Sequence, residues 1–250
     1  MTYLNTYDPN ISTIKIDGTL NLRDLGGMSM GDGRPFPYKV FVRSGTLSDS
    51  TPEAFQELIE YGITTVIDLR SVAEVIKYGN PAKDCPAMDF YNIPLFIGDP
   101  DAKEDPTMIF LKTHYLGDFY VMVLEELGSE IVRILNILGN AKGCALFHCA
   151  HGKDRTGIIA AILYLIAGAK REDIIRNYEF SYEYIKWFLD PLIELKADDS
   201  KHTLRSDRIN MEIMLDHLDN NYGGDIHRYL TAKGMTEEEF CRLKRKIVSS

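Results

Sequence analysis

Residues 148–157 of the sequence, HCAHGKDRTG, contain a cysteine and an arginine with five residues between them. The stretch follows the apolar residues CALF and leads into GIIAAILYLIAG, a pattern that indicates a buried strand, a tight loop and a helix. Such a loop can turn successive backbone N–H groups toward one anion, and the helix N-terminus adds partial positive charge. The stretch therefore predicts an anion site with a thiol at its base.

Cys149 and Arg155 are the two residues of this loop best suited to chemistry. The guanidinium of Arg155 presents a planar fork that matches two oxygens of a phosphate group. A thiol beside an arginine and a helix N-terminus ionises more readily than a free thiol, and the thiolate is the nucleophile. We expect Cys149 to attack phosphorus in line, giving a cysteinyl-phosphate that water cleaves, while Arg155 and the loop amides bind the equatorial oxygens.

The other residues of the loop are assigned supporting roles. His148 would orient the loop or hydrogen bond to the thiol, and Thr156 would donate its hydroxyl to the sulfur as the sulfur leaves phosphorus. Lys153 would raise the positive potential of the site. The predicted phosphate-binding residues are Ala150, His151, Gly152, Lys153, Asp154 and Arg155. The scheme requires no metal ion and no cofactor.

Three other interpretations of the loop compete with this one. A nucleotide-binding loop of the form G-x-x-x-x-G-K-[ST] does not fit, because Asp154 follows Gly152-Lys153 and Phe147 stands where the first glycine belongs. A sulfurtransferase also carries a cysteine in an anion-binding loop, although that loop is usually shorter. The third interpretation is a buried structural Cys149 with Arg155 on the surface.

The composition is that of a globular, acidic chain. Of its 250 residues, 45% are hydrophobic and 26% are charged, and the formal net charge is −9. Because nucleic-acid binding requires a basic face, this charge argues against it.

The start, MTYLNTYDPN, does not resemble a secretory leader, and no apolar run is long enough to predict a membrane span. The cysteines Cys85, Cys144, Cys149 and Cys241 show neither paired nor zinc-type spacing. We expect a cytoplasmic protein, or a secreted one if a leader has been removed.

The remaining patterns predict the elements that position the loop. Strands are predicted at 38–44, 63–69, 89–95 and 144–147, and helices at 51–62, 71–79, 114–139 and 155–167, with a break near Gly128. Capping boxes are predicted at Ser71 with Glu74 and at Thr236 with Glu239. Residues 97–113 are expected to form a long loop, and residues 170–250 to be mostly helical. This order predicts an α/β fold with a largely parallel sheet.

The loop resembles the H-C-x-x-G-K-D-R-T-G signature of atypical bacterial tyrosine and lipid phosphatases, a branch of the Cys-(x)5-Arg phosphatase superfamily. Three further stretches are similar to that family: NLRDLGG (21–27), VFVRSGTLSDS (40–50) and VIDLRSVAE (66–74). YGG at 222–224 fits loosely. The resemblance implies a dual-specificity-phosphatase-like core with helices on both sides of the sheet and a helical C-terminal extension. We expect one domain over residues 1–250, with its core at about 20–170 and the extension at about 171–250.

The resemblance also suggests an acid that protonates the leaving oxygen. In relatives this acid lies on a mobile loop after a Leu/Ile-Pro step, here Ile93-Pro94, which favours Asp99 over Asp101. Asp154 is the second candidate, and the resemblance implies that it takes part in catalysis or in loop geometry. Lys153 would reach a second phosphate on an inositol ring or point to solvent.

Further expectations concern residues around the loop. His151 departs from the family pattern, because many relatives carry a small residue there. It would narrow the pocket, titrate near pH 6.5 or point to solvent. Arg23 and Asp24 are expected in structural ion pairs, with Gly26 and Gly27 forming a tight turn. Arg70 and Glu74 would brace the loop. For the aromatic residues of the extension, core packing is favoured over a lid; these are Tyr182, Tyr184 and Trp187.

Taken together, the residues and the resemblance predict a cysteine-dependent phosphomonoesterase. Its expected substrates are phosphotyrosine proteins, with phosphoserine, phosphothreonine and phosphoinositides as further candidates, and phosphate or vanadate as ligands. The alternatives are a phosphoinositide-specific phosphatase and a catalytically silent phosphate-binding module.

Overall fold

The computed structural model describes residue 8 and residues 12–248, and in this part of the chain a five-stranded sheet forms the centre. The strands are β1 (Arg23–Asp24), β2 (Phe41–Ser44), β3 (Ile63–Asp68), β4 (Asp89–Asn92) and β5 (Cys144–His148). Their order is β1-β2-β5-β3-β4, with β1 antiparallel to β2 and the other neighbours parallel. Strand β5 is therefore central, and Cys149 follows its carboxyl end directly. Ligand sites of such sheets lie at the carboxyl ends of the strands.

Helices cover the sheet and form the C-terminal part of the chain. They are α1 (Pro52–Tyr61), α2 (Val72–Tyr78), α3 (Pro106–Phe110), α4 (Leu116–Glu126), α5 (Gly128–Asn140), α6 (Asp154–Ile166), α7 (Arg171–Leu195), α8 (Arg208–Tyr222), α9 (Ile226–Ala232) and α10 (Glu237–Val248). Short 3₁₀ helices occupy Pro81–Asp84 and Asp198–Leu204. The predicted α/β fold with a helical C-terminal extension is thus confirmed.

The side chains of the strands alternate between two hydrophobic cores. Phe41, Ile67 and Phe147 face the larger core, which contains α4, α5, α6 and the C-terminal helices, whereas Val42 and Leu146 face a smaller core against α1. Such alternation follows from the two-residue period of a strand. Helix α6 is buried on nearly all sides, so the segment that starts at Asp154 is held firmly against the sheet.

The helix signals read from the sequence are confirmed. Helix α1 begins after Thr51, whose hydroxyl accepts from the N–H of Ala54, and ends at Gly62 in the left-handed conformation. Ser71 and Glu74 form the predicted capping box of α2. The break near Gly128 is also present, since α4 ends at Glu126 and α5 begins at Gly128. The second capping box, formed by Thr236 and Glu239, lies at the N-terminus of α10.

Two predictions about local structure are wrong in part. The segment 97–113 is not a loop throughout, because α3 lies within it and the carboxylate of Asp105 caps α3 through the N–H groups of Thr107 and Met108. The predicted core packing of the extension's aromatic residues fails at Trp187, which is 71% exposed. Helix α7 departs from helical geometry at Ile185 and contains Pro191, which lacks the N–H of a regular helix.

The N-terminal segment MTYLNTYDPN, on which the expectation about a leader rests, lies outside the described residues except for Asp8. None of the described helices combines the length and the apolar content needed to cross a bilayer.

Candidate active site

The signature loop, residues 149–155, is hydrogen bonded along its outer side. The bonds to its carbonyl oxygens run from the Thr46 N–H to Ala150 (2.8 Å), from Asn21 Nδ2 to His151 (2.9 Å) and Gly152 (3.0 Å), and from Arg43 Nη2 to Gly152 (2.9 Å). In a trans peptide the carbonyl and the following N–H point in opposite directions. The N–H groups of residues 151–153 are therefore turned away from these donors, toward the inner side of the loop, as an anion nest requires.

Gly152 has a positive φ of +67°, and its backbone lies against the end of β2. A Cβ atom at this position would lie 2.5 Å from the carbonyl carbon of Ser44 and from the nitrogen of Gly45. Glycine is therefore required here both by conformation and by space. Its role in the loop is to let the chain pass close to β2 while the carbonyls stay outside.

Cys149 is buried at the base of this loop, with 2% of its surface exposed. Nδ1 of His148 lies 3.2 Å from the carbonyl oxygen of Cys149, and Nε2 lies 2.9 Å from Nδ2 of Asn80 and 3.6 Å from the carboxylate of Asp68. Burial lowers the pKa of His148, and the opposing charge of Asp68 does not offset this. His148 thus lies within hydrogen-bond distance of the backbone of Cys149.

Arg155 forms a bidentate ion pair with Glu74. Nη1 lies 2.5 Å from Oε2 and Nη2 lies 2.9 Å from Oε1, with 9% and 4% of the two side chains exposed. Burial alone would raise the pKa of Glu74, but the hydrogen bonds and charge of Arg155 reverse this, so the pKa lies below its usual value. Glu74 therefore contacts the signature loop as predicted, whereas Arg70 pairs with Asp68 at 2.7 Å instead.

Thr156 is fully buried one residue after Arg155. Its hydroxyl has no hydrogen-bond partner within the described part of the chain. A buried hydroxyl without a partner carries a free-energy cost, and such groups are found where function retains them.

Asp154, the first residue of α6, has its carboxylate bound from two directions. The hydroxyl of Tyr120 donates to Oδ1 at 2.5 Å, and Nζ of Lys153 lies 3.2 Å from each of the two carboxylate oxygens. The ammonium of Lys153 also donates to the carbonyl oxygens of Thr203 and Arg205, each at 2.9 Å. Lys153 is thus fully buried, and the predicted solvent-facing arrangement is wrong.

The other predicted acids lie in the segment before α3. The carboxylate of Asp99 accepts from the N–H of Asp101, and the N–H of Asp99 donates to Asp105, both at 3.0 Å. The carboxylate of Asp101 accepts from Lys77 (2.7 Å) and Tyr78 (2.5 Å) on α2. This segment is thereby attached to α2 rather than to the signature loop.

His151 stands half-buried on the rim of the loop, and its ring centroid is 6.0 Å from that of Phe188 on α7. Burial, together with the charges of Lys153 and Arg155, lowers its pKa to about 4. The expectation of titration near pH 6.5 is therefore wrong, and so is the expectation that the ring points freely to solvent. The ring lies on the α7 side of the loop, next to Phe188.

Hydrogen bonds of Arg23 and Asp24 hold the NLRDLGG stretch in place. Arg23 donates to Asn21 and to the hydroxyl of Ser181 at 3.0 Å. Asp24 accepts from the N–H groups of Gly26 (2.7 Å) and Lys39 (2.8 Å) and from the hydroxyl of Tyr61 (2.6 Å). The stretch, which contains β1, is therefore hydrogen bonded to the signature loop through Asn21 and to α7 through Arg23.

Sequence reasoning missed several residues that support the loop, namely Asn21, Arg43, Asp68, Asn80 and Tyr120. Asn21, Arg43 and Asp68 lie in stretches that resemble the family, but a polar residue beside a strand carries no local sign of the partner it will meet. Asn80 and Tyr120 reach the site only through the packing of α2 and α4. A signal for Asn21 exists in hindsight, since asparagine tolerates the left-handed φ of +57° observed there.

A central parallel strand that leads directly into a cysteine, with an arginine at the start of the next helix, is the arrangement of the Cys-(x)5-Arg phosphatase superfamily. A model of the tyrosine phosphatase family matches residues 14–249. The chain belongs to this family and is a phosphatase.

Three relatives agree with this placement. A tyrosine-protein phosphatase of Nostoc commune is 27% identical over 223 residues, which cover 84% of this chain and 75% of the relative. A putative tyrosine-protein phosphatase of Cupriavidus necator is 28% identical, covering 66% of this chain and 61% of the relative. The triple specificity protein phosphatase PtpB of Mycobacterium tuberculosis is 27% identical, covering 66% and 67%.

Proposed function

We propose that this protein hydrolyses phosphomonoesters of phosphotyrosine proteins through a cysteinyl-phosphate on Cys149. The Sγ–P bond forms as the P–O bond to the leaving group breaks, and a carboxylic acid gives its proton to the leaving oxygen. Water then attacks phosphorus and passes a proton back to the carboxylate. The S–P bond breaks, and the thiolate and inorganic phosphate are released.

The observation that carries this proposal is the orientation of the peptide groups in the signature loop, with carbonyl oxygens on the outside and N–H groups on the inside. Its carbonyl oxygens are bound on the outside by Asn21, Arg43 and Thr46, which leaves its N–H groups for a tetrahedral anion beside Cys149. The guanidinium of Arg155 is fixed by Glu74, so its fork is oriented before substrate binds. The unpartnered hydroxyl of Thr156 supports a role as donor to the departing sulfur.

For the acid we propose Asp154, with Asp99 as the alternative, which reverses the ranking made from the sequence. Asp154 lies within the signature loop, beside Arg155. The carboxylate of Asp99 is hydrogen bonded in its own turn, and its neighbour Asp101 is bound to α2. Asp154→Asn should slow turnover of poor leaving groups by roughly a hundredfold and of good ones much less. If Asp99→Asn showed this pattern instead, Asp99 would be the acid.

The range of substrates is proposed more broadly than phosphotyrosine alone. Phosphoserine, phosphothreonine and phosphoinositides are included because one relative is named a triple specificity phosphatase. Lys153 is not free to reach a second phosphate in this arrangement, since three oxygens hold its ammonium. We therefore place phosphotyrosine first, and parallel assays on phosphotyrosine peptides and phosphoinositides measure the preference.

The packing of the chain and its cysteines bear on its domain organisation and its cellular compartment. We propose one domain, because the larger core runs from Leu25 to Ile247 and joins the sheet to the C-terminal helices. We propose the cytoplasm as its compartment, since all four cysteines are free thiols.

The test compares wild type with Cys149→Ser on an aryl phosphate in the presence of a chelator. We expect turnover by wild type, inhibition by vanadate and no detectable turnover by the variant. Cys144→Ser, which changes another buried cysteine, is the matched control and should stay active. Turnover by Cys149→Ser would refute the nucleophile. A wild-type protein that binds vanadate without turnover would instead be a phosphate-binding module.

A further inference from the structure

We propose that Tyr120 is a positioning residue for Asp154, and that Tyr178 and Asn210 extend this support into the helical C-terminal extension. This inference rests on the proposed function, since it assigns the extension a part in protonating the leaving group. Tyr120 lies on α4, Tyr178 on α7 and Asn210 on α8. The extension would then contribute directly to the chemistry of the signature loop.

The four side chains form one continuous row of hydrogen bonds. The Tyr120 hydroxyl lies 2.5 Å from Oδ1 of Asp154 and 2.7 Å from the Tyr178 hydroxyl. Nδ2 of Asn210 donates to the Tyr178 hydroxyl at 3.4 Å. The phenol rings of Tyr120 and Tyr178 also pack edge to face, with centroids 6.0 Å apart.

The direction of each bond follows from the chemistry of its ends. The Tyr120 hydroxyl donates to Oδ1 of Asp154. The Tyr120 oxygen then accepts from Tyr178, and the Tyr178 oxygen accepts from Asn210. Burial, and then the charge of Asp154, raise the pKa of both tyrosines, so that their hydroxyls keep their protons.

This arrangement removes the freedom that an aspartate at a helix N-terminus normally has. Such a side chain commonly turns back to accept from the N–H groups of its own first turn. In α6 no side chain caps the N-terminus, and the carboxylate of Asp154 is held toward α4 instead. Because Oδ1 accepts the hydrogen bond from Tyr120, we assign the proton for the leaving group to Oδ2, which lies 3.2 Å from the ammonium of Lys153.

A positioning role makes a prediction that a purely structural role does not. Tyr120→Phe keeps the buried ring but removes the donor. We expect kcat/KM to fall roughly tenfold to a hundredfold for phenyl phosphate, whose leaving group needs a proton, and less than about twofold for p-nitrophenyl phosphate. In an Asp154→Asn background, Tyr120→Phe should cause no further loss with phenyl phosphate.

Tyr229→Phe is the matched control, because it removes a buried hydroxyl that donates at 2.8 Å to the carbonyl of Leu124, on the same helix as Tyr120. It should affect neither substrate by more than about twofold. Should Tyr120→Phe not fold, Tyr178→Phe provides the same comparison with a smaller expected loss. Equal losses on both substrates, or none, would overturn the positioning role while leaving Cys149 as nucleophile. Activity in Cys149→Ser would instead overturn the underlying function.

Discussion

Glu74 holds Arg155 by both of its carboxylate oxygens, at 2.5 and 2.9 Å, in a nearly fully buried ion pair. The same carboxylate accepts from the backbone N–H of Ser71 in the capping box of α2. One side chain therefore both starts a helix and fixes the guanidinium fork of the signature loop. This explains how a local helix signal in VIDLRSVAE comes to determine the geometry of a distant arginine.

The first prediction concerns this pair. Glu74→Gln leaves the buried charge of Arg155 without its counter-charge, and loss of one partner in a buried pair costs about 3–5 kcal/mol. We expect the free energy of unfolding, measured with denaturant, to fall by about 3 kcal/mol and kcat/KM to fall about tenfold or more.

The control for Glu74 is Glu60→Gln, which changes an exposed glutamate bonded to Gln56 on α1. Its unfolding free energy should stay within about 0.5 kcal/mol of wild type. If Glu74→Gln were as stable and as active as this control, the ion pair would have no part in organising the site.

The second prediction concerns the hydroxyl of Thr156, which lacks a partner in the resting structure. Thr156→Val keeps the shape and removes a buried polar group that is not hydrogen bonded, so stability should be unchanged or higher. If the hydroxyl serves the departing sulfur, hydrolysis of the cysteinyl-phosphate should slow by about tenfold or more.

Rapid mixing with an aryl phosphate measures this directly, because a slow second step produces a burst of the released aryl alcohol. Ser206→Ala removes another buried hydroxyl without a partner and is the comparison variant. It should show no such burst. Unchanged turnover in Thr156→Val would assign its hydroxyl no catalytic role.

The parts of the fold that the sequence predicted well are those decided by local chemistry. The ends of α1 follow from Thr51, Pro52 and Gly62, and the capping box of α2 from Ser71 and Glu74, since each pattern satisfies backbone groups nearby in the chain. The order of strands and helices was also readable, because burial on both faces of a parallel sheet leaves continuous apolar runs.

The parts that failed depend on contacts between residues far apart in sequence. Lys153 is buried because the carbonyls of Thr203 and Arg205 reach its ammonium, which nothing in the signature stretch indicates. Trp187 is exposed although tryptophan is usually largely buried, and it lies two residues after Ile185, where α7 departs from helical geometry. Long-range partners of polar groups and the direction of a bent helix are tertiary properties.

The third prediction concerns Asn21, which binds two carbonyls of the signature loop from outside. Asn21→Gly removes both of these hydrogen bonds, together with the one that Asn21 Oδ1 accepts from Arg23, but accepts the observed φ of +57° without strain. We expect the dissociation constant for vanadate to rise about tenfold, because the loop carbonyls lose the donors that fix their direction. Equilibrium titration with vanadate measures this.

Lys39→Gly is its matched control, since Lys39 is the other described non-glycine residue with positive φ, at +62°, and lies on the surface. Removal of its side chain should leave vanadate affinity unchanged. Equal affinities of the two variants would show that the loop keeps its form without the Asn21 amide.

The last prediction concerns pH and the His151 ring. Burial and the positive charges of Lys153 and Arg155 lower the pKa of His151 from 6.5 to about 4, while the charges of Asp154 and Glu74 only partly oppose this. Between these values the unfolded chain binds a proton that the folded chain does not, so stability is lost as the pH falls. Lowering the pH from 7 to 5 should therefore destabilise wild type by about 1–2 kcal/mol more than His151→Gln.

Denaturant unfolding at the two pH values measures the difference, and the other titrating groups, including His148, cancel in the comparison. Parallel losses in the two proteins would mean that His151 titrates in the folded state as it does in the unfolded chain.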